Sequence, residues 1–165
     1  MTRELTVSDS VVVRASAEVI WRQLADPTQM PRWSPENTGA RIEGGRPLER
    51  GESFAGTNQR GRARWVTRCI VRHSVPGERF CFDVVGWGLG SPRLAVRVAR
   101  WDYRLEPAEG GTRVTETWTD GRRGWPAWLA NAFDKAAAGR PFAQFQARNI
   151  ARTLAALQAD LDGAA

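Results

Sequence analysis

Glu116 and Tyr103 are the residues of this chain best suited to chemistry. Two alternating runs, Trp101-Asp102-Tyr103-Arg104-Leu105 and Val114-Thr115-Glu116-Thr117-Trp118, flank the turn Glu109-Gly110-Gly111, which is the pattern of a hairpin. A symmetric register sets Tyr103 opposite Glu116 and Trp101 opposite Trp118 on one face. A carboxylate inside an apolar cavity has its charged form desolvated, which raises its pKa and suits it to general acid or base work near neutral pH. The phenol could share the proton or orient a substrate carbonyl. Alternatively the two groups satisfy each other at the cavity wall, or Glu116 reaches solvent at the mouth. Little other chemistry is available. With one histidine, His73, and two cysteines, Cys69 and Cys81, no zinc cluster, C-x-x-C redox pair or haem-attachment motif can be assembled. No metal or cofactor is called for. His73 has no serine or aspartate constellation and reads as a structural or rim residue.

The chain has eight tryptophans against one tyrosine. Tryptophan presents a large flat apolar face with a single donor, so a cavity lined with it suits aromatic or polycyclic ligands held by contact area. Around Pro76-Gly77, an even-length hairpin loop pairs residue 71 with 82 and 73 with 80. Trp65, Thr67, Cys69, Val71 and His73 then share an inner face with Phe80, Phe82 and Val84. Arg64, Arg68 and Arg72 fall on the outer face with Cys81 and Asp83, and Asp83 becomes a diagonal neighbour of Arg68 or Arg72. The two cysteines on opposite faces should not bond, and Cys81 should be the more exposed. The expected ligand-binding set is Trp33, Phe54, Trp65, Phe82, Trp101, Tyr103, Glu116 and Trp118, with Trp33 capping the mouth and an inward Arg97 as a further polar candidate. Leu94, Val96 and Val98 have the wrong parity to share a face with Trp101. Either a β-bulge near Ala99-Arg100 reconciles the two halves, or residues 94 to 98 form an outer apolar patch that could serve as a homodimer contact.

These side chains need elements to hold them. Leu5, Val7, Val11 and Val13 fit a strand, Ser16 offers an N-cap, and Ala17 to Ala25 reads as a short helix stopped by Asp26-Pro27. Met30 to Pro35 is a turn or a stub of helix. Residues 37 to 120 read as about six strands parted by turns at Gly44-Gly45, Gln59-Arg60-Gly61, Pro76-Gly77, Gly86 to Pro92 and Glu109 to Gly111. The glycine-rich run Gly86 to Pro92 looks like a phosphate-cradling loop, but no helix follows it, so it reads as a mobile flap. From Pro126 the period becomes helical, with Trp128, Leu129, Phe133, Ala136 and Ala137 at helical spacing. Gly139-Arg140-Pro141 should break the helix, and Ile150, Leu154, Leu157 and Leu161 form an apolar stripe beyond it. Strands followed by a helix argue for an α+β domain, an antiparallel sheet with the helix on one face.

The 165 residues are 42% hydrophobic and 25% charged, which fits one globular domain spanning the chain. The N-terminus has no apolar signal region and no run of about 18 apolar residues occurs, so the expectation is a soluble cytoplasmic protein without a membrane span. Of the formal charge of +6, most lies between residues 41 and 72, where eight arginines face Glu43, Glu49 and Glu52. The plain reading of that stretch is the solvated face of strands rather than a nucleic-acid surface.

Ala17-Glu-Val-Ile-Trp-Arg-Gln-Leu-Ala-Asp-Pro with Trp33-Ser34-Pro35, then Trp101-Asp-Tyr-Arg-Leu-Glu-Pro, Gly110-Gly-Thr-Arg-Val-Thr-Glu-Thr-Trp118 and Thr153-Leu154-Ala-Ala-Leu157, resemble the START-like (SRPBCC) superfamily, and within it the polyketide cyclase/dehydrase group. The resemblance implies a helix-grip fold: a curved seven-stranded antiparallel sheet around a long C-terminal helix, two short helices after the first strand, and a cavity between sheet and helix. It also implies one of two functions. The first is a carrier that binds a hydrophobic, aromatic or lipid-like small molecule, and the second is a polyketide cyclase or dehydratase. A third reading, from the charge, is an interaction protein that uses its basic outer face.

Overall fold

The computed structural model describes residues 3–42 and 45–163. Seven strands, β1 (Thr6–Val13), β2 (Asn37–Arg41), β3 (Ser53–Arg60), β4 (Ala63–Val75), β5 (Arg79–Gly88), β6 (Leu94–Ala108) and β7 (Gly111–Asp120), form one antiparallel sheet in the order β1-β7-β6-β5-β4-β3-β2. Helix α1 (Ala17–Leu24) and a 3-10 helix (Pro27–Arg32) follow β1, and α2 (Ala127–Ala138) and α3 (Phe142–Asp162) close the chain. This is the expected α+β helix-grip architecture. Among the described residues, no helix is long and apolar enough to cross a membrane.

Local chemistry sets the boundaries. The Ser16 hydroxyl accepts from the Val19 N–H and caps α1, and the Asp26 carboxylate accepts from the Thr28 N–H and starts the 3-10 helix. At the break, Gly139 takes a left-handed φ of 68° that ends α2, and α3 begins after Pro141. The apolar stripe of α3, Ile150, Leu154, Leu157 and Leu161, is buried against the sheet with Val13, Val114 and Trp118 in one core. The turn expected at Gly44-Gly45 lies partly outside the described residues.

The hairpin between β6 and β7 has the symmetric register read from the sequence, Tyr103 opposite Glu116 and Trp101 opposite Trp118. Gly110 supplies the left-handed φ of 82° at its tip, and a Cβ on Gly111 would run into the Val13 carbonyl. The β4–β5 hairpin departs from expectation. Val75 pairs with Arg79, so the loop has odd length, and a register shift between Val71 and His73 restores Val71 opposite Phe82 only beyond Arg72. His73 consequently stands opposite Cys81, on the outer face, and not with Phe80 on the inner one.

On β6 the parity conflict is resolved by a bulge. Ala99 pairs with Val84 and Ala95 with Gly86, so β6 uses three residues, Val96 to Val98, where β5 uses one. Val98 and Ala99, consecutive in sequence, both line the interior, as do Leu94 and Val96. Leu94, Val96 and Val98 therefore line the cavity and do not form the outer patch that was the alternative, while Arg97 between them faces outward. The helical spacing read on α2 is real, but its buried side is Ala130 and Asp134, while Trp128 is 72% exposed.

Candidate functional site

Between the inner face of the sheet, α2 and α3 lies a cavity of about 740 Å³. Trp33, Phe54, Trp65, Phe82, Trp101, Tyr103, Glu116 and Trp118 all line it. Five strands contribute these through their inward alternation: Phe54 from β3, Trp65 from β4, Phe82 from β5, Trp101 and Tyr103 from β6, Glu116 and Trp118 from β7. Phe54 meets Phe82 edge-on at 5.3 Å between ring centroids. Trp33 is buried after the 3-10 helix, and its indole N–H donates to Asp160 Oδ2 at 3.0 Å, which ties that turn to α3.

Glu116 and Tyr103 form the polar centre of this wall. The Tyr103 hydroxyl donates to Glu116 Oε1 at 2.8 Å, and Glu116 Oε2, also buried, has no hydrogen-bond partner among the described residues. Burial pushes the Glu116 carboxyl up to about 8 from its ordinary 4.5, against the opposing effect of the Tyr103 hydrogen bond. Burial and the neighbouring Glu116 carry the Tyr103 phenol well above its ordinary value. At neutral pH the pair is a protonated acid beside a neutral phenol.

Two polar groupings at the cavity were missed by sequence reasoning. Arg122 is buried; its guanidinium binds Asp120 at 2.8 Å and Asp134 at 2.7 Å, and lies 4.6 Å from the Phe142 ring centroid. Burial works against its charge, but the hydrogen bonds it donates to Asp120 and Asp134 outweigh that and hold its pKa above the ordinary value. Asp134 also accepts from the Phe142 N–H at 3.0 Å, so one carboxylate joins α2, α3 and the end of β7. The second grouping is Glu36 with Arg60 and Asn149. Arg60 Nε donates to Glu36 Oε1 at 2.7 Å and Asn149 Nδ2 to Glu36 Oε2 at 3.1 Å, while the Arg60 guanidinium stacks 4.2 Å from the Phe145 ring centroid. Asn149 and Thr153, one helical turn apart on the buried side of α3, were a legible signal of a polar strip in that face.

Other expected positions are corrected. Arg97 does not enter the cavity; it points outward and reaches Asp83 at 3.2 Å. Asp83 is buried beneath Arg72 and Arg100 as well, and their hydrogen bonds hold its carboxyl below the ordinary range although burial alone would raise it. Cys81 is on the outer face but fully covered, close to the Arg79–Asp102 and Arg100–Asp83 ion pairs. Burial lifts the Cys69 thiol to about 12 and the Cys81 thiol to about 11. Both cysteines are unpaired thiols. Trp87, within the glycine-rich run, belongs to β5 and lines the cavity.

Sheet, gripping helix and enclosed apolar cavity define a helix-grip ligand-binding domain. The chain belongs to the family described as polyketide cyclase / dehydrase and lipid transport, which it matches over residues 4–161. Its fold is that of a START superfamily protein from Mycobacterium smegmatis, at 15% identity and a TM-score of 0.68, covering 98% of this chain and 100% of that one. A polyketide-cyclase-like protein from Corynebacterium glutamicum is similar at 24% identity and a TM-score of 0.58, over 98% and 94% of the two chains. A protein in the dynemicin biosynthetic locus matches 98% of this chain with 48% of its own length, at 16% identity and a TM-score of 0.63. No curated protein matches in sequence.

Proposed function

We propose that this protein binds a hydrophobic, aromatic or lipid-like small molecule in its internal cavity and acts as a carrier or sequestering protein. The observation behind this is the cavity of about 740 Å³ walled by six tryptophans and four phenylalanines, a volume within the range of small-molecule sites. Outside, Arg72, Arg97 and Arg100 are engaged by Asp83, and Arg79 and Arg104 by Asp102, which favours a structural role for the basic face over docking of a polyanion. Tryptophan fluorescence titrated with a polycyclic apolar probe tests the reading. Saturable quenching that is nearly unchanged between low and moderate salt is expected; absence of saturable change across a panel of such probes would refute it. Trp101→Ala should weaken binding, and Arg68→Ala should leave it intact.

One observation supports a second reading, a cyclase or dehydratase acting on an aromatic polyketide-like substrate. Glu116 is a buried acid with its pKa near 8, in the range that general catalysis uses. Under that reading Glu116→Gln abolishes turnover while ligand affinity stays nearly unchanged. Under the carrier reading the same change alters affinity modestly and there is no turnover to lose. The carrier reading is preferred because the charged groups of the wall are already engaged with neighbours, Glu116 with Tyr103, Glu36 with Arg60 and Asn149, and Arg122 with Asp120 and Asp134, while most of the remaining lining is apolar contact surface.

A further inference from the structure

Among the described residues, four charged ones line the cavity: Glu36, Arg60, Glu116 and Arg122. Three of them are neutralised by direct ion pairs, Glu36 with Arg60 and Arg122 with Asp120 and Asp134. Glu116 has none. Among the described residues, the one polar contact of its carboxyl is the Tyr103 hydroxyl, which already donates to Oε1 and so leaves that oxygen an acceptor. A proton carried by Glu116 therefore falls to Oε2, the oxygen with no partner, where it is a hydrogen-bond donor lacking an acceptor. A buried donor left unmade is costly, and a ligand oxygen that meets it recovers that cost.

We infer that the cavity selects apolar ligands carrying a neutral hydrogen-bond acceptor, a ketone or quinone oxygen, and seats that oxygen on Glu116 Oε2. This rests on the ligand-binding reading above and names the ligand class for it. A hydrocarbon of the same shape leaves the donor unmet. A carboxylate ligand brings an unpaired anion into an apolar enclosure and is excluded by its desolvation cost. Above about 8 the Glu116 carboxyl ionises, becomes an acceptor only, and loses the preference. Around Glu116, Tyr103 is the titratable group on β6, and Asp9 is its register partner on β1, exposed and turned back onto the Ser10 N–H. The cavity-lining residues of β5 and α3 include Phe82, Val84, Asn149 and Thr153, none of which titrates, and β4 adds the Cys69 thiol, which burial keeps neutral.

The test compares fluorene, fluorenone and fluorenecarboxylate, read by tryptophan fluorescence with wild type, Glu116→Leu and Glu116→Gln. At about pH 6, wild type should favour fluorenone over fluorene by about tenfold more than Glu116→Leu does, and should bind fluorenecarboxylate at least about tenfold more weakly than fluorenone. In wild type the ketone preference should collapse by about pH 9.5; in Glu116→Gln, whose amide still donates but does not titrate, it should persist at both pH values. Should Glu116→Leu fail to fold, the contrast between wild type and Glu116→Gln decides alone. Equal ketone preference in all variants at both pH values overturns the inference while leaving the ligand-binding reading intact. Failure of all three probes to bind overturns that reading, and the inference with it.

Discussion

A single buried carboxyl makes stability depend on pH in an unusual direction. Folded Glu116 keeps its proton up to about 8, whereas in an unfolded chain it would release it near 4.5. Between those values the folded state binds more protons than the unfolded state, so this residue's contribution falls as pH rises across the window and stays low above it. Glu116→Gln keeps the shape and removes the titration. Urea unfolding at about pH 4.5 and about pH 9 should show wild type losing on the order of 3 to 5 kcal/mol relative to that variant. The same loss in both proteins would mean that the carboxyl is solvated. The thiols make a simpler case. Both are buried with raised pKa values, so native alkylation of Cys69 and Cys81 by a hydrophilic reagent should be slower than in the unfolded chain by at least about a hundredfold. Parity assigned Cys81 correctly to the outer face, but exposure does not follow from facing outward when long arginines paired to Asp83 and Asp102 lie across that face.

At the scale of elements, what period alone determines was legible and what irregularity determines was not. Alternation with a glycine turn was enough to set Tyr103 against Glu116, because the β6–β7 register runs unbroken from Ala108 to Ala99. The strand conflict at residues 94 to 101 announced a bulge, and the bulge lies at Val96 to Val98, just before the expected place. The shift at Arg72 left no such trace, since neither register creates a hydrophobic conflict there, and His73 was placed on the wrong face for that reason. Arg122 was invisible for a different cause: its partner Asp134 is twelve residues away on another element, and pairs formed by tertiary approach have no local spacing. That pair has a measurable weight. Asp134→Ala strips the buried guanidinium of one carboxylate and α3 of its acceptor at the Phe142 N–H, and should cost about 3 kcal/mol in denaturant unfolding, read alongside Asp134→Asn as the milder change. A loss below about 1 kcal/mol would show that water replaces the carboxylate and that α2 is not held by it.

For the whole molecule, the two faces of one sheet do different work. Outward, arginines close over Asp83 and Asp102; inward, aromatic rings and the stripe of α3 enclose a space that no side chain fills. Packed interiors normally leave few voids larger than a water molecule, so a cavity of about 740 Å³ forgoes contacts that a solid core would have. An occupant supplies those contacts only to the folded state, and by linkage it must raise the unfolding temperature as its concentration rises. At a hundredfold excess over its dissociation constant a single-site ligand adds about 2.7 kcal/mol, which for a domain of this size corresponds to roughly 5 to 10 °C. Thermal unfolding with and without a saturating fluorenone-type probe should show that shift. Trp101→Ala, which trims a half-buried wall residue rather than the fully buried Trp118, should reduce the shift at fixed probe concentration. Added salt should leave it nearly unchanged, because the contacts are apolar and the nearest charges are already paired. A stabilisation that grows with probe concentration but is equal in wild type and Trp101→Ala would move the binding site out of this cavity and onto the surface.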